Sequence, residues 1–161
     1  MNIFWSYAKL DDKTPNKLTK LRQAFGISLD QSTGFKNKII VDTSDLKWGV
    51  EWKAEISRLI LESDVVVIII SPSYFNSRMC IKELEYALTA EKKILPLYYR
   101  NCPKGLVSNF KEEGNYENAS LNSMSAKVSD IQYKDFRKLR NKNFKLECVQ
   151  DFLDEIAAEI T

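Results

Sequence analysis

The chain has 161 residues, of which 44% are hydrophobic and 29% charged, and its formal net charge is +2. That much apolar material supports one globular domain with a real core, so a single domain over residues 1–161 is expected, either as a whole protein or as the N-terminal part of a longer one. The small net charge makes no case for a nucleic acid or an anionic membrane as partner, and the longest apolar run, Val65 to Ile70, is far short of a membrane span. Ile3 to Tyr7 is short, aromatic and apolar and reads as the first strand. Ser6 to Asp12 is the loop that follows. Thr14-Pro15 has the form of an N-cap with proline at the first helical position, and Leu18, Leu21, Phe25 and Leu29 mark the apolar face of the helix it opens. Gly26 predicts an interruption there. Ile39 to Asp42 is a second short strand, and Asp42 to Trp52 a loop entering a helix whose buried face carries Trp52, Ile56, Leu59 and Ile60.

Val65 to Ile70 is a run of β-branched residues, suited to a strand buried on both faces. Ser71-Pro72 stops it and a polar loop follows. Asn76 or Ser77 then caps a helix with Cys80, Leu84, Ala87 and Leu88 on one stripe. Lys93 to Tyr99 is a further strand, in which Pro96 predicts a bulge or an edge. Asn101 to Asp130 reads as long loops with one short helix. Ile131 to Phe136 holds a last short strand, the cation-rich stretch Lys134 to Lys145 a solvated helix entry, and Val149 to Ile160 a final amphipathic helix. Alternation of strands and helices implies right-handed βαβ units. The expected fold is α/β and flavodoxin-like, a five-stranded parallel sheet in the order 2-1-3-4-5 with helices on both faces. Its ligand crevice lies at the carboxyl ends of the first and third strands, beside the loops Ser6 to Asp12 and Ser71 to Ser77.

Glu83 lies three residues after Cys80 and four before Ala87, so it borders the packed stripe next to that crevice. It is read either as an exposed helix glutamate or as a partly desolvated functional carboxylate. Cys80 could be a nucleophile near a helix N-terminus, but a small buried hydrophobe is the favoured reading. The chain has no histidine, which excludes Ser-His and Cys-His nucleophiles within one chain and leaves carboxylates, hydroxyls, thiols and cations. No glycine pattern signals a bound dinucleotide cofactor, and no cluster suggests a metal. Cys80, Cys102 and Cys148 form no disulfide framework, so a reducing cytoplasm is expected. One carboxylate is chemically sufficient to cleave NAD, because the departing pyridinium becomes neutral nicotinamide and needs no acid.

The residues then point to a family. IFWSYAKLDD from Ile3 is similar to the start of a Toll/interleukin receptor (TIR) domain, with Trp5 departing from the usual aliphatic residue. Asp42 to Gly49, with Leu46 three before Gly49, resembles the family's D-x-x-x-L-x-x-G loop, continued by Trp52 and Ile56. Ser71 to Tyr74 is similar to S-P-x-Y, and Ser77 to Leu84, SRMCIKEL, to S-x-W-C-x-x-E-L with Met79 in place of tryptophan. The resemblance, to the bacterial type, runs from Ile3 to Tyr99. It implies an NAD glycohydrolase or cyclase giving nicotinamide and ADP-ribose or a cyclic isomer, with antiphage defence as the setting. The catalytic glutamate falls on Glu83. Substrate contacts fall on Trp5, Ser6, Tyr7, Ala8, Lys9, Asp42, Leu46, Trp48, Trp52, Ser71, Ser77 and Cys80. NAD is then a substrate, with no cofactor or metal, and the 42–52 loop a route to self-association. Two alternatives stay open: a TIR interaction module without turnover, and an enzyme like the nucleoside 2-deoxyribosyltransferases, which use a glutamate nucleophile.

Overall fold

The computed structural model describes residues 1–13, 17–41, 50–102, 127–128 and 131–161. Five strands, β1 (Asn2–Ser6), β2 (Lys38–Ile40), β3 (Val65–Ile70), β4 (Lys93–Tyr98) and β5 (Lys134–Asp135), form one sheet in the order β2-β1-β3-β4-β5. Every neighbouring pair is parallel. The helices described are α1 (Lys17–Thr33), α2 (Val50–Glu62), α3 (Pro72–Phe75), α4 (Arg78–Thr89) and α5 (Glu147–Ile160), with a 3-10 turn at Lys9–Asp12. The expected strand order and the flavodoxin-like layering are both present.

Strand parity assigns the core to two layers. Alternate residues of a strand face opposite sides. Val66, Ile68 and Ile70 of β3 pack with Trp52, Ile56 and Ile60 of α2 and with Cys80, Leu84 and Ala87 of α4. Val65, Val67 and Ile69 pack on the other side with Leu18, Leu21, Phe25 and Leu29 of α1 and Val149, Leu153 and Ile156 of α5. All six residues of β3 are buried, as a central parallel strand covered on both faces requires.

Several local expectations change. α1 runs unbroken through Gly26. A Cβ at that position would lie 3.2 Å from Ile39 Cδ1, so the glycine serves a close approach of helix to sheet, not a break. The proposed cap at Thr14-Pro15 lies outside the described residues. Within them, the Asp12 carboxylate accepts from the backbone N–H groups of Leu18 at 2.8 Å and Thr19 at 3.0 Å, the work of a cap performed from a distance. After β3 comes a one-turn helix where a polar loop was expected: Ser71 is its N-cap, accepting from Tyr74 N at 3.0 Å, with Pro72 in the first turn. Pro96 makes no bulge, since the β3–β4 register is continuous from Val65↔Lys93 to Ile70↔Tyr98. On its other side β4 pairs with β5 only at Leu97 and Tyr98, so Pro96 withholds an N–H where no ladder with β5 exists. The cationic stretch after β5 is built of turns and is anchored by Phe136, fully buried between Tyr99, Phe144 and Phe152.

Candidate active site

The order β2-β1-β3 makes the chain leave the sheet in opposite directions at β1 and β3, which opens a crevice at their carboxyl ends. A cavity of about 290 Å³ occupies this position. Its walls come from the β1 exit (Trp5, Tyr7, Ala8, Lys9, Leu10), from α3 and its end (Ser73, Asn76), and from the start of α4 (Ser77, Met79, Cys80, Glu83).

Glu83 reaches this wall because of three local facts. Ser77 caps α4 by accepting from Cys80 N at 3.3 Å, which fixes the helix phase. The stripe Cys80, Leu84 and Ala87 seats the helix on the sheet. Glu83, beside that stripe, is therefore carried into the layer and retains only 4% exposure. The reading as an exposed surface glutamate is excluded by that burial. Ser6 shares the parity of Phe4 on β1, and so faces the α4 layer. Its Oγ donates to Glu83 Oε2 and lies 2.9 Å from the Tyr74 hydroxyl. Tyr74 Oη also lies 3.3 Å from Cys80 O, which offers its proton a second acceptor.

The remaining electrostatics favour neutral partners around that carboxylate. Burial raises the Tyr74 phenol well above its ordinary value, and the neighbouring Cys80 and Glu83 add to the effect. Burial also raises the Tyr7 phenol, followed by the negative charge of Asp12. The Cys80 thiol is pushed far above the ordinary thiol range, first by burial and then by Glu83. The helix N-terminus does not activate it, because the loss of water outweighs the dipole. Cys80 is a packing residue that touches the cavity.

A second buried acid lies behind the first loop. Asp11, 5% exposed, accepts from Ser71 Oγ through Oδ2, and Arg100 Nε lies 3.3 Å from Oδ1. This contact latches the Lys9–Asp12 turn to the β3–α3 corner.

The expected site residues divide accordingly. Trp5, Tyr7, Ala8, Lys9, Ser77, Cys80 and Glu83 line one cavity. Ser6 stands behind Glu83 and supports it. Ser71 and Trp52 are not among the residues that line the cavity. Ser71 is fully buried, with its hydroxyl spent on the Tyr74 N–H and on Asp11. Trp52 is 2% exposed in the core with Ile56 and Ile60, because the helical repeat places all three on one face of α2. Asp42, Leu46 and Trp48 lie outside the described residues. Leu10, Ser73, Asn76 and Met79 also line the cavity: the first three lie within the two expected crevice loops, and Met79 stands inside the S-x-W-C-x-x-E-L block. Among the described residues no group of three or more His, Cys, Asp or Glu side chains is placed to hold a metal ion. No helix among them is long and apolar enough to cross a membrane.

Fold and cavity together define an α/β protein with a buried carboxylate at the switch point of a parallel sheet. The TIR domain family profile matches residues 3–149, and the chain belongs to that family. It is 33% identical over 67 residues to a probable 2' cyclic ADP-D-ribose synthase from Brachypodium distachyon. That match covers 42% of this chain and 30% of the plant protein's length. Among solved structures, the chain is similar to the TIR domains of the activated Roq1 resistosome, with a TM-score of 0.68, 22% identity and 99% of both chains covered. It is also similar to the TIR domain of a Toll-related receptor from Hydra magnipapillata, with a TM-score of 0.53 and 20% identity over 98% of this chain and 96% of that one. The flavodoxin-like domain of a Synechococcus protein gives a TM-score of 0.52 and 13% identity, covering 99% and 95%. These three likenesses are of fold.

Proposed function

We propose that this TIR domain is an NAD⁺ nucleosidase, cleaving the nicotinamide–ribose bond to give nicotinamide and ADP-ribose or a cyclic isomer. The observation that carries the reading is the Glu83 carboxylate, 4% exposed yet lining the cavity at the carboxyl ends of β1 and β3. As the C1'–N bond breaks, its electron pair passes to the pyridinium nitrogen and nicotinamide leaves neutral. Positive charge then develops on the ribose, and a carboxylate held in a water-poor wall stabilises it. Water adds to C1' and loses a proton to solvent to give ADP-ribose. Attack on C1' by a hydroxyl of the same ADP-ribosyl cation, in place of water and with loss of that hydroxyl's proton to solvent, gives a cyclic form instead. Ser73, Asn76 and Ser77 offer hydrogen bonds to ribose hydroxyls or to the carboxamide. Lys9 offers a cation to the phosphates.

The name of the plant relative supports this reading, since synthesis of a cyclic ADP-ribose begins with the same bond cleavage. The proposal extends to a chain acting as one cytoplasmic TIR domain of bacterial type in antiphage defence, self-associating through residues 42–52, with NAD⁺ as substrate and no cofactor. These further parts rest on the sequence: its length, cysteines and glycine pattern for some, its family resemblance for the others.

Incubation with NAD⁺ and chromatography of the products tests the proposal. Nicotinamide release is expected from the unmodified chain and not from Glu83→Gln. A folded protein that releases none at any concentration is an interaction module. Base exchange on deoxynucleosides without nicotinamide release would place it with the deoxyribosyltransferase-like enzymes.

A further inference from the structure

Three elements bring hydroxyl and carboxyl groups together behind the cavity. Ser6 is the last residue of β1, Tyr74 sits on α3 and Glu83 on α4, and they are 1%, 0% and 4% exposed. Their proton count is restrictive. An ionised carboxylate only accepts, so Ser6 gives its single proton to Glu83. Ser6 can then only accept from Tyr74, 2.9 Å away, which commits the phenolic proton to Ser6. The Cys80 carbonyl, 3.3 Å from Tyr74 Oη, is left as a spare acceptor. If Glu83 takes up a proton, the chain reverses: Glu83 donates to Ser6, Ser6 to Tyr74, and Tyr74 to Cys80 O. Every hydroxyl proton has an acceptor in both settings.

We propose that Ser6 and Tyr74 are positioning residues that hold the Glu83 carboxylate in one orientation as the charged, accepting end of a hydroxyl relay. The proposal rests on the reading of Glu83 as the catalytic carboxylate and adds how it is kept ready. A carboxylate buried in a protein wall tends to neutralise, and a hydrogen bond donated to its charged form opposes that tendency. Fixing one oxygen against β1 also spares the reaction the cost of orienting it. The relay acts alongside the other groups of this wall. Tyr7 and Cys80 are held protonated, chiefly by burial. Asp11 is engaged by Ser71 and Arg100. Lys9, from the first loop, brings a positive charge to the same cavity.

The test uses the full chain with Ser6→Ala, Tyr74→Phe and the double variant. Two readouts are compared: kcat and KM for nicotinamide release as a function of pH, and titration of isotope-labelled glutamate carboxyls by ¹³C NMR, with Glu83→Gln identifying the Glu83 signal. For Ser6→Ala, kcat is expected to fall roughly tenfold or more, with KM changed far less. The acid limb of the profile and the Glu83 titration should both move up by about one pH unit, the value of a hydrogen bond to a charged group. Tyr74→Phe keeps the buried ring and should move both readouts the same way by less. Because Tyr74 acts through Ser6, the double variant should be no worse than Ser6→Ala alone. A folded Ser6→Ala or Tyr74→Phe protein with the wild-type Glu83 titration overturns the relay, as do independent, multiplying effects in the double variant. If the wild type releases no nicotinamide, the functional reading fails, and the NMR titration alone still decides whether the relay sets the state of Glu83.

Discussion

Glu83 and Cys80 sit three residues apart on one helix and meet the same cavity, yet their surroundings separate their chemistry. Glu83 receives a hydroxyl donor from Ser6, whereas burial and that same carboxylate keep the Cys80 sulfur protonated. Glu83→Gln preserves shape and removes charge. A loss of about a hundredfold or more in nicotinamide release is expected, the usual scale for a principal electrostatic group, with thermal stability close to wild type. Cys80→Ala should retain substantial activity and lose about 1–2 kcal/mol of stability, measured by urea unfolding. Thiol labelling gives a second check. The exposed Cys148 should alkylate in the native protein at mildly alkaline pH, and buried Cys80 only after unfolding. The linkage has a definite sign. The folded-state pKa of Cys80 is raised, so the unfolded chain ionises first. Stability is therefore lost as pH rises through the ordinary thiol range near the reference value of 9.0, and Cys80→Ala should flatten that loss.

At the level of elements, the site is held by short-range devices at chain corners. Asp11 fastens the 3-10 turn to Ser71 at the head of α3. In Asp11→Ala the buried Ser71 hydroxyl loses its acceptor and Arg100 its partner, for an expected loss of about 1–3 kcal/mol in urea unfolding. Gly26→Ala should act in the opposite sense. It removes most of the roughly 1 kcal/mol helix penalty of glycine, and the atom it meets is the terminal methyl of the partly buried Ile39, which can give way. A small rise in melting temperature is expected. What the sequence made legible follows the same division. The β-branched run of β3, the stripe of α4 and the Ser71-Pro72 signal are local patterns, and they read through to elements. Glu83 was visible from its spacing relative to Cys80 and Ala87. Its pairing with Ser6 was not, because the two lie 77 positions apart and only strand parity and helix phase bring them together. Phe136 was hidden for another reason: a lone buried aromatic in a cation-rich stretch has no periodicity to reveal it. Trp52 was legible from its spacing with Ile56 and Ile60, which puts it on the buried face of α2 where it lies; only the family resemblance made it a substrate contact.

At the scale of the whole molecule, the proposed self-association makes a claim that a single chain cannot satisfy. Specific activity should rise with protein concentration or on crowding, measured as nicotinamide released per chain across a dilution series. Trp48→Ala should weaken that dependence more than it lowers the melting temperature. Flat specific activity together with unchanged Trp48→Ala turnover removes the assembly proposal.

Strand parity also makes the two halves of the interior unequal in what they can absorb. The α1–α5 layer packs against residues of β3 that point away from Glu83, and the α2–α4 layer against those that share its side. Volume-conserving drift in the first layer, at Leu153 or Ile156 for example, alters how firmly the molecule holds together without reaching the carboxylate. The same drift at Leu84 or Ala87 moves the helix that carries it. Trp5 belongs to the α1–α5 layer, packed on Phe25 with ring centroids 5.8 Å apart, yet it also lines the cavity beside Glu83 and so links the two sides. The domain thus has one side on which sequence can wander and stability alone keeps watch, and another on which every change is also a change in chemistry.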